Sequence, residues 1–276
     1  MKKVFMVIMT IFFCTAVAWA DTVDRELPET TPVQIKNSAR QMVDQGLNPE
    51  EVVKMTRQML ANNFREQQVL QAHAILMNAR RQGLPTEPIM NKAYEGLAKQ
   101  VQGEAVVKAM EQVRTRYEFA SKQASAISNN KARINQMTSA LAESMAAGMN
   151  DEDAQRIMQV LRERTRNMAQ AHSEELAMQT LMTTRTMARL GMQSRSVGDS
   201  VCQALQQGYS AEQMHNMRNT IMANSRHSYS ESFSEDHGSN AGQHGGQDGM
   251  GGHGGDSDGG TGGGHGDGGG MGGGHM

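Results

Sequence analysis

Between Val33 and Arg226 the apolar residues recur at intervals of three and four. Ala39, Met42 and Val43 form one group, Val52, Val53, Met55, Met59 and Leu60 the next, and Ile157, Met158 and Leu161 a later one. That spacing lines apolar side chains along one face of an α-helix. The intervening residues are mostly Ala, Gln, Glu, Arg, Leu and Met, which favour helix, and no Pro follows Pro88. No stretch reads as a strand. The pattern predicts an all-α body.

Short cassettes interrupt the pattern. "QGLNPEEV" (45–52) has relatives in "QGLPTEPI" (82–89), "AGMNDEDA" (147–154) and "QGYSAEQM" (207–214). In the first, Gly46 suits the left-handed residue that ends a helix, and Leu47 folds back on the helix just finished. Asn48 caps the next helix, Pro49 sits at its first position and Glu51 at its third. Gly148, Met149, Asn150 and Asp153 repeat the scheme, as do Gly208, Tyr209, Ser210 and Gln213. A phosphate-binding loop would need further glycines and a Lys-Ser/Thr pair between strand and helix. These loops turn the chain and bind nothing.

A shift of 108 residues lays Gly83 on Gly191, Leu84 on Met192, Ile89 on Val197, Ala93 on Val201 and Leu97 on Leu205; a shift of 102 lays Gly46 on Gly148. The expected architecture is therefore a duplicated α-hairpin repeat body of about 8–10 helices. Its halves are 33–120 and 134–226, joined by 121–133 as linker or continuing helix. An extended segment, 21–32, precedes them.

"GLPTEPIMNKAYEGLAKQVQGEAVVKAMEQV" (83–113) resembles a GLP-x-x-P…KA-x-EGLAKG segment of uncharacterised bacterial secreted or envelope proteins that are expected to be helical. Gly83, Leu84, Pro85, Pro88, Lys92, Ala93, Glu95, Gly96, Leu97, Ala98 and Lys99 carry the match, and Gln100 stands where Gly is usual. The resemblance implies a periplasmic location and supplies no activity. Lys92, Glu95 and Lys99 are spaced for ion pairs on an ordinary solvated face.

The ends of the chain differ from its middle. "MKKVFMVIMTIFFCTAVAWA" has two lysines, an apolar run and an A-x-A site at Ala18-Trp19-Ala20. It reads as a secretory signal peptide cleaved after Ala20, which places the protein in the periplasm or outside the cell with no membrane span left. Cys202 is then the single cysteine, expected as a small buried hydrophobe. From residue 227 onward glycine dominates, a composition expected to stay disordered. Residues from Tyr229 on carry seven acidic residues and no Lys or Arg. The full chain has 27 basic and 29 acidic residues; without this stretch and the two leader lysines, 25 basic and 22 acidic remain. A mildly basic body with an acidic tail is not the charge pattern of a nucleic-acid binder.

No HExxH, Walker loop, dinucleotide fingerprint or nucleophile elbow is present, and the chain reads as non-enzymatic. Cys202 and His215 make an imaginable pair without a third member. His73 and His172 read as ordinary half-buried helix residues. Most methionines sit at helical spacing and read as core filler; "MHNM" (214–217) is the best place in the body for a soft thioether site.

Six of the nine histidines, His227, His237, His244, His253, His265 and His275, fall in or beside the glycine-rich tail with Asp256, Asp258 and Asp267. No established cofactor follows from this, but such a tract suits Ni²⁺, Cu²⁺ or Zn²⁺. Two functions are expected. One is an interaction or scaffold module whose partner is another envelope protein or a second copy. The alternative is a metal-binding or buffering protein that uses the tail.

Overall fold

The protein is described here by a computed structural model covering the backbone of residues 23–235 and the side chains of residues 23–226. Every regular element among these residues is helical, as the apolar spacing requires. A short turn, α1 (residues 23–26), precedes ten longer helices. The first five are α2 (Val33–Asp44), α3 (Pro49–Ala61), α4 (Glu66–Arg81), α5 (Glu87–Ala98) and α6 (Gly103–Ser125). The second five are α7 (Lys131–Ala146), α8 (Asp151–Thr165), α9 (Gln170–Arg189), α10 (Ser194–Gln206) and α11 (Ala211–Glu235). None is long and apolar enough to cross a membrane.

Seven helices end in the same way. A residue with positive φ follows the helix, and the hydrophobe after it turns its N–H back to a carbonyl five residues earlier. Leu47 N–H reaches Met42 O at 3.1 Å, Leu84 reaches Ala79 at 2.9 Å, Met149 reaches Ser144 at 3.1 Å, Met192 reaches Met187 at 3.2 Å and Tyr209 reaches Ala204 at 3.0 Å. These are Schellman stops with glycine at the left-handed position. Two more lack glycine: Asn63 (φ 60°) and Gln100 (φ 54°) take the same conformation, with Phe64 and Val101 closing onto Met59 and Gly96. The helix starts also follow the cassettes. Asn48 Oδ1 accepts from Glu50 N–H at 2.9 Å and Glu51 N–H at 3.3 Å. Asn150 Oδ1 accepts from Asp153 N–H at 2.8 Å. Ser210 and Gln213 form the full reciprocal box.

With helices stopped and restarted within a few residues, next-but-one helices come into contact. α2 packs on α4, α4 on α6 and α7 on α9, while α3 packs on α5 and α8 on α10; the consecutive pairs α5 with α6 and α6 with α7 also pack closely. The pairing order of α2–α5 thus recurs in α7–α10. Methionine supplies much of the core: of the twelve largest fully buried side chains, six are Met42, Met55, Met59, Met110, Met137 and Met158. An unbranched thioether fills the irregular gaps that few aromatics are present to fill.

Three expected boundaries move. The described part of the expected extended segment, 23–32, is not simply extended. Val23 and Leu27, one helical turn apart, are both buried, and Asp24 pairs with Arg40 while Arg57 donates to Glu26 O. Two apolar residues at that spacing bury enough surface to dock the turn. At 121–133 the helix continues to Ser125 and a short connection follows, in which Ile127 and Ser128 are buried. Ser128 Oγ donates to Glu174 Oε1 at 2.6 Å, and Asn130 caps α7. At the other end α11 passes the expected boundary at 227 and runs to Glu235. The glycines begin only at Gly238, and a formed helix propagates through Ser and Glu far more readily than it nucleates.

Candidate functional site

The last three helices enclose a surface groove of about 680 Å³. Met187 comes from the end of α9, and Met192 from the stop after it. Ser200, Gln203 and Ala204 line it from α10, and Gln207 from the residue that caps the end of that helix. Tyr209 and then Gln213, Asn216, Met217, Thr220 and Ile221 of α11 close the other wall. The lining carries no charged side chain. Its floor is apolar, and its rim is amide and hydroxyl. Met192 at 37% exposure and Leu190 at 43% beside it are two of the four large hydrophobics left exposed among the described residues.

α11 is held in place by polar contacts with α9. Thr183 Oγ1 donates to Met214 O at 2.9 Å. Arg218, 8% exposed, donates to Gln179 Oε1 at 3.0 Å and meets His215 Nδ1 at 2.6 Å. Gln179 in turn donates to Glu175 Oε1 at 2.8 Å, so the carboxylate is reached through an amide. Burial, and then Arg185 nearby, lowers the Arg218 pKa.

A second, larger groove of about 1050 Å³ runs between α4 and α6. Ala74, Ile75, Val107, Phe119 and Met145 give it an apolar floor, but Glu104, Lys108, Glu111, Arg116 and Asp151 ring it with both signs of charge. Beside it Arg114 is clamped at 2.8 Å by Glu111 and at 2.8 Å by Glu118, which raises the guanidinium pKa. Such a rim is well solvated without a partner.

The residues singled out from sequence fall as follows. His227 lies on α11 with its side chain outside the described residues. His237, His244, His253, His265, His275, Asp256, Asp258 and Asp267 lie outside them altogether. Among the described residues no group of three His, Cys, Asp or Glu is placed to hold a metal ion. "MHNM" does not converge: Met214 is fully buried in the core, Met217 lines the groove, and His215 turns to Arg218. Cys202 is buried at 6% exposure and its thiol pKa is pushed up by that burial. The Lys92–Glu95–Lys99 face forms as spaced, with contacts of 2.7 and 2.6 Å. The two lysines hold the exposed Glu95 carboxyl down at about 2.

Neither helix histidine is half-buried. His172 is exposed, and His73 is fully buried. Thr56 Oγ1 lies 2.9 Å from His73 Nε2 and gives its own proton to Val52 O at 2.7 Å. Nε2 therefore carries the ring proton, and Nδ1 accepts from Ser38 Oγ at 3.1 Å. Each ring nitrogen of the neutral imidazole is satisfied, and burial lowers its pKa to about 4. Asp153 is a buried carboxylate. Burial raises its carboxyl, but bonds from Ser194 at 2.7 Å and Arg156 at 2.8 Å outweigh that and hold it below the usual range.

No family model, curated protein or solved structure matches the chain.

Proposed function

We propose that this chain is a non-enzymatic helical interaction module of the periplasm or the secreted fraction, built from two duplicated halves and docking its partner in the groove between α10 and α11. The observation that carries this reading is the lining of that groove. Methionines on a flexible apolar floor re-pack around different shapes. Desolvating amides and hydroxyls that can be re-paired costs far less than desolvating charges. The leader at residues 1–20 supports the location, and the recurrent pairing order of α2–α5 in α7–α10 supports the duplication.

The test is site-specific photo-crosslinking in growing cells, with the probe at Met192 or Gln207 and, as control, at Gln112 of the charged groove. Adducts at the first two positions and not at the third are expected. Equal labelling at all three would sink the reading. Cell fractionation on the same samples checks the location.

A second reading, that the tail binds divalent metal through His227, His237, His244, His253, His265 and His275 with Asp256, Asp258 and Asp267, rests on the sequence concentration of imidazoles in that stretch. It is independent of the groove, and equilibrium dialysis of full-length and tail-truncated protein separates the two.

A further inference from the structure

The geometry points to a second copy of this chain as the occupant of the α10–α11 groove, in a two-fold pairing. This rests on the docking reading above and names its partner. The 108-residue register supplies the comparison. Ser200, Gln203 and Gln207 of α10 occupy the positions of Lys92, Glu95 and Lys99 on α5, and Asn216 on α11 that of Lys108 on α6. The first half keeps a solvated strip of ion pairs there; the second half has none. Beside it, Met187 and Met217 stand where the first half has Ala79 and Ala109. Loss of charge and gain of thioether thus coincide on one surface.

The chemistry of that surface is self-complementary. A two-fold interface sets each patch against its own copy, so any charge in it faces like charge unless an opposite one lies across the axis. A charge-free patch has no such cost. Amide side chains carry both donors and acceptors, so Gln203, Gln207 and Asn216 can pair with the same residues of the partner. The exposed Met192 and Leu190 supply apolar area at the rim. In the first half the helix in the register of α11, namely α6, carries α7 packed along it. The fold thus already covers such a helix with another helix, and the partner's α11 would do the same across the axis.

Sedimentation of the full chain as purified from expressing cells, across about 1–100 µM, where modest interfaces dissociate, should show a monomer–dimer equilibrium. Two variants place like charge on that surface, where Ser200 is half-buried and the other three positions are exposed: Ser200→Lys with Asn216→Lys, and Gln203→Glu with Gln207→Glu. Each alone should weaken the dimer at least about tenfold, with helical content and melting midpoint retained. Mixing the two should recover pairing, because opposite charges then face each other. A wild-type chain that stays monomeric throughout that range overturns the proposal. So does a dimer that both variants leave untouched. The crosslinking above keeps the two readings apart. Adducts to a different protein from a monomeric chain would remove self-pairing and leave the docking groove, while a monomeric chain with no groove adducts would remove both.

Discussion

Replacing His73 with Leu should change how the protein's stability depends on pH, in a window set by burial. The folded imidazole has no exposed surface and two neutral hydroxyl partners, Ser38 on α2 and Thr56 on α3. It takes up a proton only near pH 4, against 6.5 for the free side chain. Above pH 6.5 both the folded and the unfolded ring are neutral, and nothing is lost. Between 6.5 and about 4 the unfolded chain binds a proton that the folded chain does not, so stability falls as pH falls. At about 1.4 kcal/mol for each pH unit, the full loss is about 3 kcal/mol. Carboxylates titrate in part of the same range, so the assay must be a difference. Urea melts of the wild type and His73→Leu at pH 7.5, 6.5, 5.5 and 4.5 isolate the imidazole. Leu leaves Ser38 without its partner, a cost that is the same at every pH, while Thr56 keeps Val52 O. The wild type should therefore hold a constant advantage or deficit above pH 6.5, and lose about 3 kcal/mol relative to the variant by pH 4. If the two curves stay parallel through that window, the ring is either solvated or protonated in the fold, and the buried-neutral assignment is wrong.

Other perturbations test the local arguments. Gly96→Ala should destabilise by about 1–3 kcal/mol, although Ala is the better helix former: a Cβ there would lie 2.5 Å from Val106 Cγ2, and β-branched Val106 has little freedom to turn away. A variant as stable as wild type in urea would show that α5 and α6 do not approach so closely. Gln100→Gly should stabilise by about 0.5–1 kcal/mol, because the left-handed conformation at φ 54° costs any side chain and glycine almost nothing; thermal melts read the sign. Asn150→Ala should cost about 0.5–2 kcal/mol through the lost cap of α8, and a neutral result in the same melts would refute the capping role. If the tail binds Ni²⁺ or Cu²⁺, affinity by dialysis should drop steeply as pH falls from about 7.5 to about 5.5, since only neutral imidazole ligates, and removing residues 236–276 should abolish it.

The helices and most of their stops were legible because both depend on neighbours in sequence. Gly46, Gly148 and Gly208 announce themselves, and the capping residues follow at fixed offsets. The stops at Asn63 and Gln100 were missed for want of glycine, although the hydrophobe that each stop needs, Phe64 or Val101, is in place. The α1 turn was missed because Val23 and Leu27 are only two residues, too few for a periodic signal. The groove is a different kind of omission. Met214 and Met217 stand three apart on one helix and read alike in any periodicity, yet the first is fully buried in the core and the second lines a surface groove. Which is which depends on how close α11 comes to α10. In the first stretch a Cβ on Gly96 would lie 2.5 Å from Val106 Cγ2; the 108-residue register puts Ala204 and Met214, both buried, in their places. The signal that would have found it is a comparison of the halves with each other. Where one stretch has Lys92, Glu95, Lys99 and Lys108, the 108-residue register puts Ser200, Gln203, Gln207 and Asn216, none of them charged.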